Sequence, residues 1–208
     1  MAETQSVVYV LDDDSDVRNA MDTLMRSVGY KVRTFTSAAE FLGAKLSDVP
    51  GCLVLDVRMP GMSGLDLQSE MNKAHVDMPI IFITGHADVA MAVKVMKAGA
   101  VEFLTKPFRD QDLLDSIHHA VERNRLARQH RAGLVELRRR FNSLTKRQRE
   151  VMEYVVKGLL NKQIAVQLGT SETTIKLHRG QVMLKMQAHS LPDLVRAAIC
   201  LGVPSQTY

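Results

Sequence analysis

The chain has 208 residues, 46% of them hydrophobic, with a formal net charge of +4 and two cysteines. No apolar run is long enough to cross a bilayer, and the start, Met-Ala-Glu-Thr-Gln-Ser, lacks the basic and apolar stretches of a signal peptide. Cys52 and Cys200 cannot build a disulfide framework, so a cytoplasmic protein of one or two domains, without a membrane partner, is expected.

The charge is unevenly spread. Residues 1–120 hold 11 Lys and Arg against 17 Asp and Glu, a balance of −6, whereas residues 121–208 hold 16 against 6, a balance of +10. Two domains with different partners follow, the basic one a candidate for nucleic acid. A basic amphipathic helix on an anionic membrane is the competing explanation. It fits poorly with several short capped helices.

In chain order, strands are expected near Val7–Leu11, Lys31–Phe35, Cys52–Asp56, Ile80–Thr84 and Val101–Thr105. Helices are expected between them near Ser15–Val28, Ser37–Lys45, Ser63–Lys73 and Asp88–Ala98. Val17, Ala20, Met21, Leu24, Met25 and Val28 give the first helix an apolar stripe. Ser63 and Asp88 are N-cap candidates, and Gly29 and Gly99 sit where helix-ending glycines belong. Regular βα alternation predicts a doubly wound parallel sheet, an α/β fold.

From Asp110 to Phe141 there is no proline and one glycine, Gly133, which predicts a long helix whose later part is rich in arginine. This stretch is a solvated helical linker, or a linker that also touches DNA phosphate or the first domain. Beyond Asn142-Ser143 only helices are predicted, near Lys146–Lys157, Asn161–Leu168, Ser171–Met186 and Leu191–Leu201. The domains are set at 1–122, a linker at 123–142, and a small all-α domain at 143–208.

Three aspartates and a lysine end the apolar runs: Asp12 and Asp13, then Asp56, then Lys106 before Pro107. Asp14 follows as an acid at a helix start. In an open parallel sheet, ligands bind outside the carboxyl ends of the strands. The carboxylates therefore gather and repel unless a cation or a proton intervenes, and Mg²⁺ suits them. The chemistry expected is acylphosphate formation on Asp56. Asp12 and Asp13 hold Mg²⁺ directly or through water, helped by Asp56 and the backbone carbonyl of Arg58, while Thr84 and Lys106 contact phosphoryl oxygens. Pro107 is a candidate for a cis bond. Taken singly, these residues would be a polar turn, a surface lysine and a strand-end threonine. It is their joint spacing that argues for a site. The only enzyme activity expected is Mg²⁺-dependent self-phosphorylation from phosphodonors and autodephosphorylation.

Leu11-Asp12-Asp13-Asp14, Leu55-Asp56-Val57-Arg58-Met59-Pro60-Gly61-Met62-Ser63-Gly64, Ile83-Thr84-Gly85 and Thr105-Lys106-Pro107-Phe108 resemble bacterial response-regulator receiver domains over about residues 5–122. The resemblance implies a flavodoxin-like five-stranded sheet of order 2-1-3-4-5 and phosphorylation of Asp56 by a sensor histidine kinase. It also implies that Phe103 swings inward as Thr84 moves toward the phosphoryl group. Output is then expected on the face built by helix Asp88–Ala98 and strand Val101–Thr105, with Met91, Val95 and Met96 as apolar contacts.

Thr145 with Gln148 has the form of a capping box, and Leu168-Gly169-Thr170-Ser171 is a tight turn between two helices. Leu-Thr-x-Arg-x-Arg-Glu-Val from Leu144, Asn-Lys-x-Ile-Ala from Asn161 and Thr-Ile-Lys-x-His-Arg from Thr174 resemble the LuxR-type helix-turn-helix, over about residues 141–203. The whole chain thus resembles the FixJ/NarL group of response regulators. The second helix of the motif would lie in the major groove of promoter DNA. Candidate contacts are Asn161, Lys162, Ser171, Thr173, Thr174, Lys176, Leu177, His178 and Arg179. Gly180 departs from the polar or basic residue often found there. Phosphorylation is expected to favour a homodimer that places two such helices roughly 34 Å apart, regulating transcription with RNA polymerase. Two alternatives stand beside this reading. One is a DNA-binding regulator whose receiver is a relic. The other is a phosphatase using Asp14-Ser15-Asp16-Val17, whose Asp14 lies beyond the strand end.

Overall fold

Three apolar runs become the inner parallel strands of a five-stranded sheet, buried on both faces, and two partly exposed strands close its edges. The computed structural model describes residues 6–85 and 89–204. The strands are β1 (Val7–Leu11), β2 (Lys31–Phe35), β3 (Gly51–Asp56), β4 (Ile80–Thr84) and β5 (Glu102–Thr105). Their order is β2-β1-β3-β4-β5, the flavodoxin-like arrangement expected. Side chains alternate across the sheet. Tyr9, Leu11, Leu53, Leu55 and Phe82 face α2 (Ala38–Gly43), α3 (Gly64–Lys73) and α4 (Val89–Lys97). Val8, Val10, Val54, Ile81 and Ile83 face α1 (Ser15–Ser27) and the start of α5 (Asp110–Asn142).

The register decides where the site forms. Leu11 lies opposite Leu55, so Asp12 and Asp56, the next residues, stand side by side. Asp56 pairs with Ile83 and Thr84 with Thr105, so Thr84 and Lys106 each follow one step further along the same edge.

Helix ends follow local chemistry. Asp14 is the N-cap of α1, its carboxylate accepting from the N–H groups of Asp16 and Val17. Helix α2 is shorter than expected: Ser37 caps it by accepting from Glu40 N, and Ala44 turns extended, so Lys45 lies outside. Ser63 caps α3. Asp88, the expected cap of α4, lies outside the described residues. Gly29 and Gly99 take φ of 91° and 97°, the left-handed conformation that favours glycine.

The chain divides into two compact units at Arg128/Gln129, within the 33-residue helix α5. The second unit continues with α6 (Lys146–Val156), α7 (Asn161–Gln167), α8 (Glu172–Met186) and α9 (Leu191–Leu201). Its core joins Val151, Met152, Val155, Ile164, Ile175, Val182, Met186 and Leu194, with Leu137 and Phe141 packed against it. The Thr145–Gln148 capping box forms, and Ser171 caps α8. No helix among the described residues is long and apolar enough to cross a membrane.

Two buried features lead to predictions. Cys52 lies fully inside β3, and burial pushes its thiol up to about 12, whereas Cys200 is exposed. A thiol reagent at neutral pH is expected to modify one cysteine of the native protein and the second only on unfolding. Rapid labelling of both would contradict a sealed strand β3. Asn124 of α5 is also buried: its Oδ1 accepts from Gly51 N at 3.2 Å and its Nδ2 donates to Asp77 O at 3.1 Å. Asn124→Leu removes both bonds and is expected to cost about 2 kcal/mol, read from the shift in urea midpoint at unchanged m. No shift would show that the bridge contributes nothing.

Candidate functional site

At the carboxyl edge of the sheet, Asp12 is wholly buried, Asp56 nearly so, and Asp13 is open to solvent. One carboxylate oxygen from each of the three lies within 4.8 Å of the others. Lys106 Nζ donates to Asp12 Oδ2 at 2.6 Å and to Asp56 Oδ2 at 2.9 Å. The remaining oxygens are also engaged: Asp12 Oδ1 accepts from Asp14 N at 2.9 Å, and Asp56 Oδ1 from Arg58 N at 2.9 Å. The Asp12 carbonyl accepts from Arg18 Nη1 at 2.7 Å. Burial pushes the Lys106 ammonium toward its neutral form, but the hydrogen bonds and charges of Asp12 and Asp56 outweigh it, and its pKa stands above the ordinary lysine value.

The donors are three carboxylates, hard oxygen ligands, and the exposed Asp13 gives the cluster a side open to water. That chemistry fits a divalent cation. Thr84 is buried, and its carbonyl accepts from Lys106 N at 2.8 Å. The Lys106–Pro107 bond is cis. Phe103 is half-buried opposite Phe82, packed on the face that carries α2, α3 and α4. On α4 one expectation is corrected. Val95 is fully buried and belongs to the core, because it points at the sheet; Val89, Val93 and Met96 are the large apolar residues of α4 that are exposed, with Met91 half-buried against the core.

Asp14 caps α1, the helix-start role expected of it, and the three-carboxylate cluster is built by Asp12, Asp13 and Asp56 without it. Sequence reasoning missed Arg18, whose basic side chain one turn into α1 had no visible partner. It also missed an apolar groove of about 370 Å³ beside Lys106, lined by Val17, Met21 and Leu24 of α1 and by Pro107, Phe108 and Leu113.

In the second unit, Arg147 Nη2 donates to Leu168 O, tying α6 to the turn after α7. Arg179 Nη1 donates to Asn161 Oδ1 at 3.2 Å, linking α8 to the start of α7. The Ser171 and Thr174 hydroxyls bond each other at 2.8 Å. Thr173, Lys176 and Leu177 stand exposed on α8, as does Lys162 on α7, whereas His178 and Arg179 are half-buried. Gln181 and Leu184 are exposed on α8 as well and were not anticipated.

Residues 8–118 match the response regulator receiver domain, and residues 142–198 match the bacterial regulatory proteins of the luxR family. The chain is 49% identical to Nodulation protein W of Bradyrhizobium diazoefficiens over 97% of this chain and 89% of that one. It is 47% identical to response regulator protein TodT of Pseudomonas putida, over 94% and 86%. Among solved structures, the response regulator StyR superposes with a TM-score of 0.86 at 45% identity, covering 94% of this chain and 98% of that one. Full-length FixJ from B. japonicum superposes with a TM-score of 0.58 at 40% identity, over 98% and 100%.

Proposed function

The chain belongs to the response regulators that join a receiver domain to a LuxR-family DNA-binding domain, and from that premise we propose that Asp56 is the phosphoacceptor whose acylphosphate switches DNA binding. The receiver implies a sensor kinase as partner, and the luxR-family domain implies DNA. One observation supports Asp56 above all: a lysine ammonium is held between its carboxylate and that of Asp12, where a phosphoryl group would need a cation.

An Asp56 carboxylate oxygen forms the new O–P bond. The bond to the donor's histidine nitrogen breaks, and its electron pair leaves with the imidazole. Asp12, Asp13, Asp56 and the Arg58 carbonyl would hold Mg²⁺, which would supply charge neutralisation for the phosphoryl oxygens. Lys106 exchanges its Asp56 contact for a phosphoryl oxygen, and the Thr84 hydroxyl donates to another. The Arg58 N–H, already on Asp56 Oδ1, fixes the carboxylate's orientation. The apolar groove beside Lys106 gives a donor protein a place to dock. Phe103 follows Thr84, and the face of α4 and β5 carries the output.

In the second unit, α8 enters the major groove. Thr173, Lys176 and Leu177 face base edges, while Asn161, Lys162, Ser171, Thr174, His178 and Arg179 set the register on the backbone. Phosphorylation favours a homodimer that presents two α8 helices to promoter DNA in the cytoplasm and engages RNA polymerase. Sedimentation of the protein with and without Mg²⁺ and acetyl phosphate tests the switch. The mass is expected to double on phosphorylation, and an unchanged mass in phosphorylated protein would count against it.

A further inference from the structure

Helix α8 buries Ile175, Val182 and Met186. Opposite them, Thr173, Leu177, Gly180 and Leu184 fall within roughly 60° of one another at 3.6 residues per turn. Two large apolar side chains on this line are left in water: Leu177 is 65% exposed and Leu184 72%. Between them stands a glycine in mid-helix, where glycine is unfavourable by about 1 kcal/mol relative to alanine. Nothing among the described residues requires it. A Cβ built at Gly180 would meet no atom within 4 Å, and its φ is not in the left-handed region. A site where the fold has room for a side chain and lacks one, at the centre of an exposed face, suits close approach by something outside the chain.

We propose that Gly180 is a specificity-determining position, whose missing side chain lets the α8 backbone approach the major-groove edges closely enough for Leu184 to pack on a thymine methyl. The inference rests on α8 being the DNA-reading helix. The occupant is duplex DNA because the unit carrying this face lies in the basic part of the chain, 16 Lys and Arg against 6 Asp and Glu over residues 121–208, and matches a DNA-binding family. Thymine carries the only methyl group that a major-groove edge offers to an apolar side chain. Leu177 and Leu184 lie about 10 Å apart along the helix, or about three base-pair steps of 3.4 Å. Leu184 would therefore extend the readout beyond the base pair nearest Leu177.

The experiment uses the phosphorylated full chain. Preferred duplexes are first selected from a random pool, and binding is then measured to the selected duplex and to copies in which single thymines are replaced by uracil, which lacks the methyl. One replacement is expected to weaken wild-type binding about fourfold, the size of one buried methyl-sized group, and to have no effect on Leu184→Ala. Gly180→Ala is expected to raise the melting temperature while weakening the selected duplex about tenfold, the size of one lost base-pair contact. Its binding to random duplex should not change. If Gly180→Ala binds the selected duplex as tightly as wild type, or if Leu184→Ala keeps the full uracil penalty, the proposal is overturned. A wild-type chain that selects no duplex overturns the DNA-reading role of α8, and this inference with it.

Discussion

With Mg²⁺ and acetyl phosphate, the wild-type chain is expected to gain one phosphoryl group by intact mass, and Asp56→Asn none. The substitution keeps the shape of the side chain, so the fold should survive. What changes is the nucleophile: a carboxylate oxygen with a free electron pair and a negative charge becomes a neutral amide. Two existing contacts also compete. Asp56 accepts from both Lys106 Nζ and Arg58 N, and an amide has one oxygen to offer. One contact is lost, at about 1 kcal/mol of stability, while Lys106 keeps Asp12. Equal labelling of both proteins would mean that another residue is the nucleophile. Labelling of neither would point to a relic receiver or to a strict need for the kinase. Asp14→Asn serves as a control and should label like wild type, because its carboxylate is committed to capping α1.

The inner strands were legible because residues buried on both faces write themselves as unbroken apolar runs, and β1 and β4 fall on their expected bounds. The edge strand β2 does so without such a run, Val32 and Phe35 being buried and Lys31 and Thr34 exposed. Which runs would be neighbours was not legible from periodicity. Strand order came from the resemblance and is the order observed, whereas the register, with Leu11 opposite Leu55, is seen in the structure alone. Val95 was misplaced because α4 is short and largely apolar, with Lys94 and Lys97 as its only charged residues, so little marks which side looks outward. Asn124 was readable in principle. It falls on the spacing of Leu113, Ile117, Ala120 and Val121 along α5, and a polar residue on a buried stripe requires a partner. Leu184 escaped notice for the opposite reason, since an apolar residue in a helix is ordinarily assigned to the core.

Lys106→Met is expected to destabilise the receiver by about 3 kcal/mol in the absence of divalent cations, measured by chemical denaturation. Methionine keeps the apolar stem and removes the ammonium. The side chains of Asp12 and Asp56 are only 1% and 11% exposed, so the change leaves two nearly buried carboxylates facing each other without their counter-ion, a costlier arrangement than never having had the pair. The pH dependence has a definite sign. The pKa of Lys106 is raised in the folded protein, so its contribution is complete below the unfolded lysine value of about 10.4 and is lost as pH rises through the folded one. The gap between wild type and variant should be widest at neutral pH and close in strong alkali. Mg²⁺ gives the discriminating arm. A cation that binds the folded carboxylates and not the unfolded chain stabilises the fold by mass action, and in the variant it meets no ammonium already paired with its ligands. Added Mg²⁺ should therefore restore more stability to Lys106→Met than it adds to wild type. Equal stability of the two proteins without Mg²⁺ would show that the lysine is not the counter-ion of the buried pair, and equal gains on adding Mg²⁺ would show that metal and lysine do not share the same oxygens.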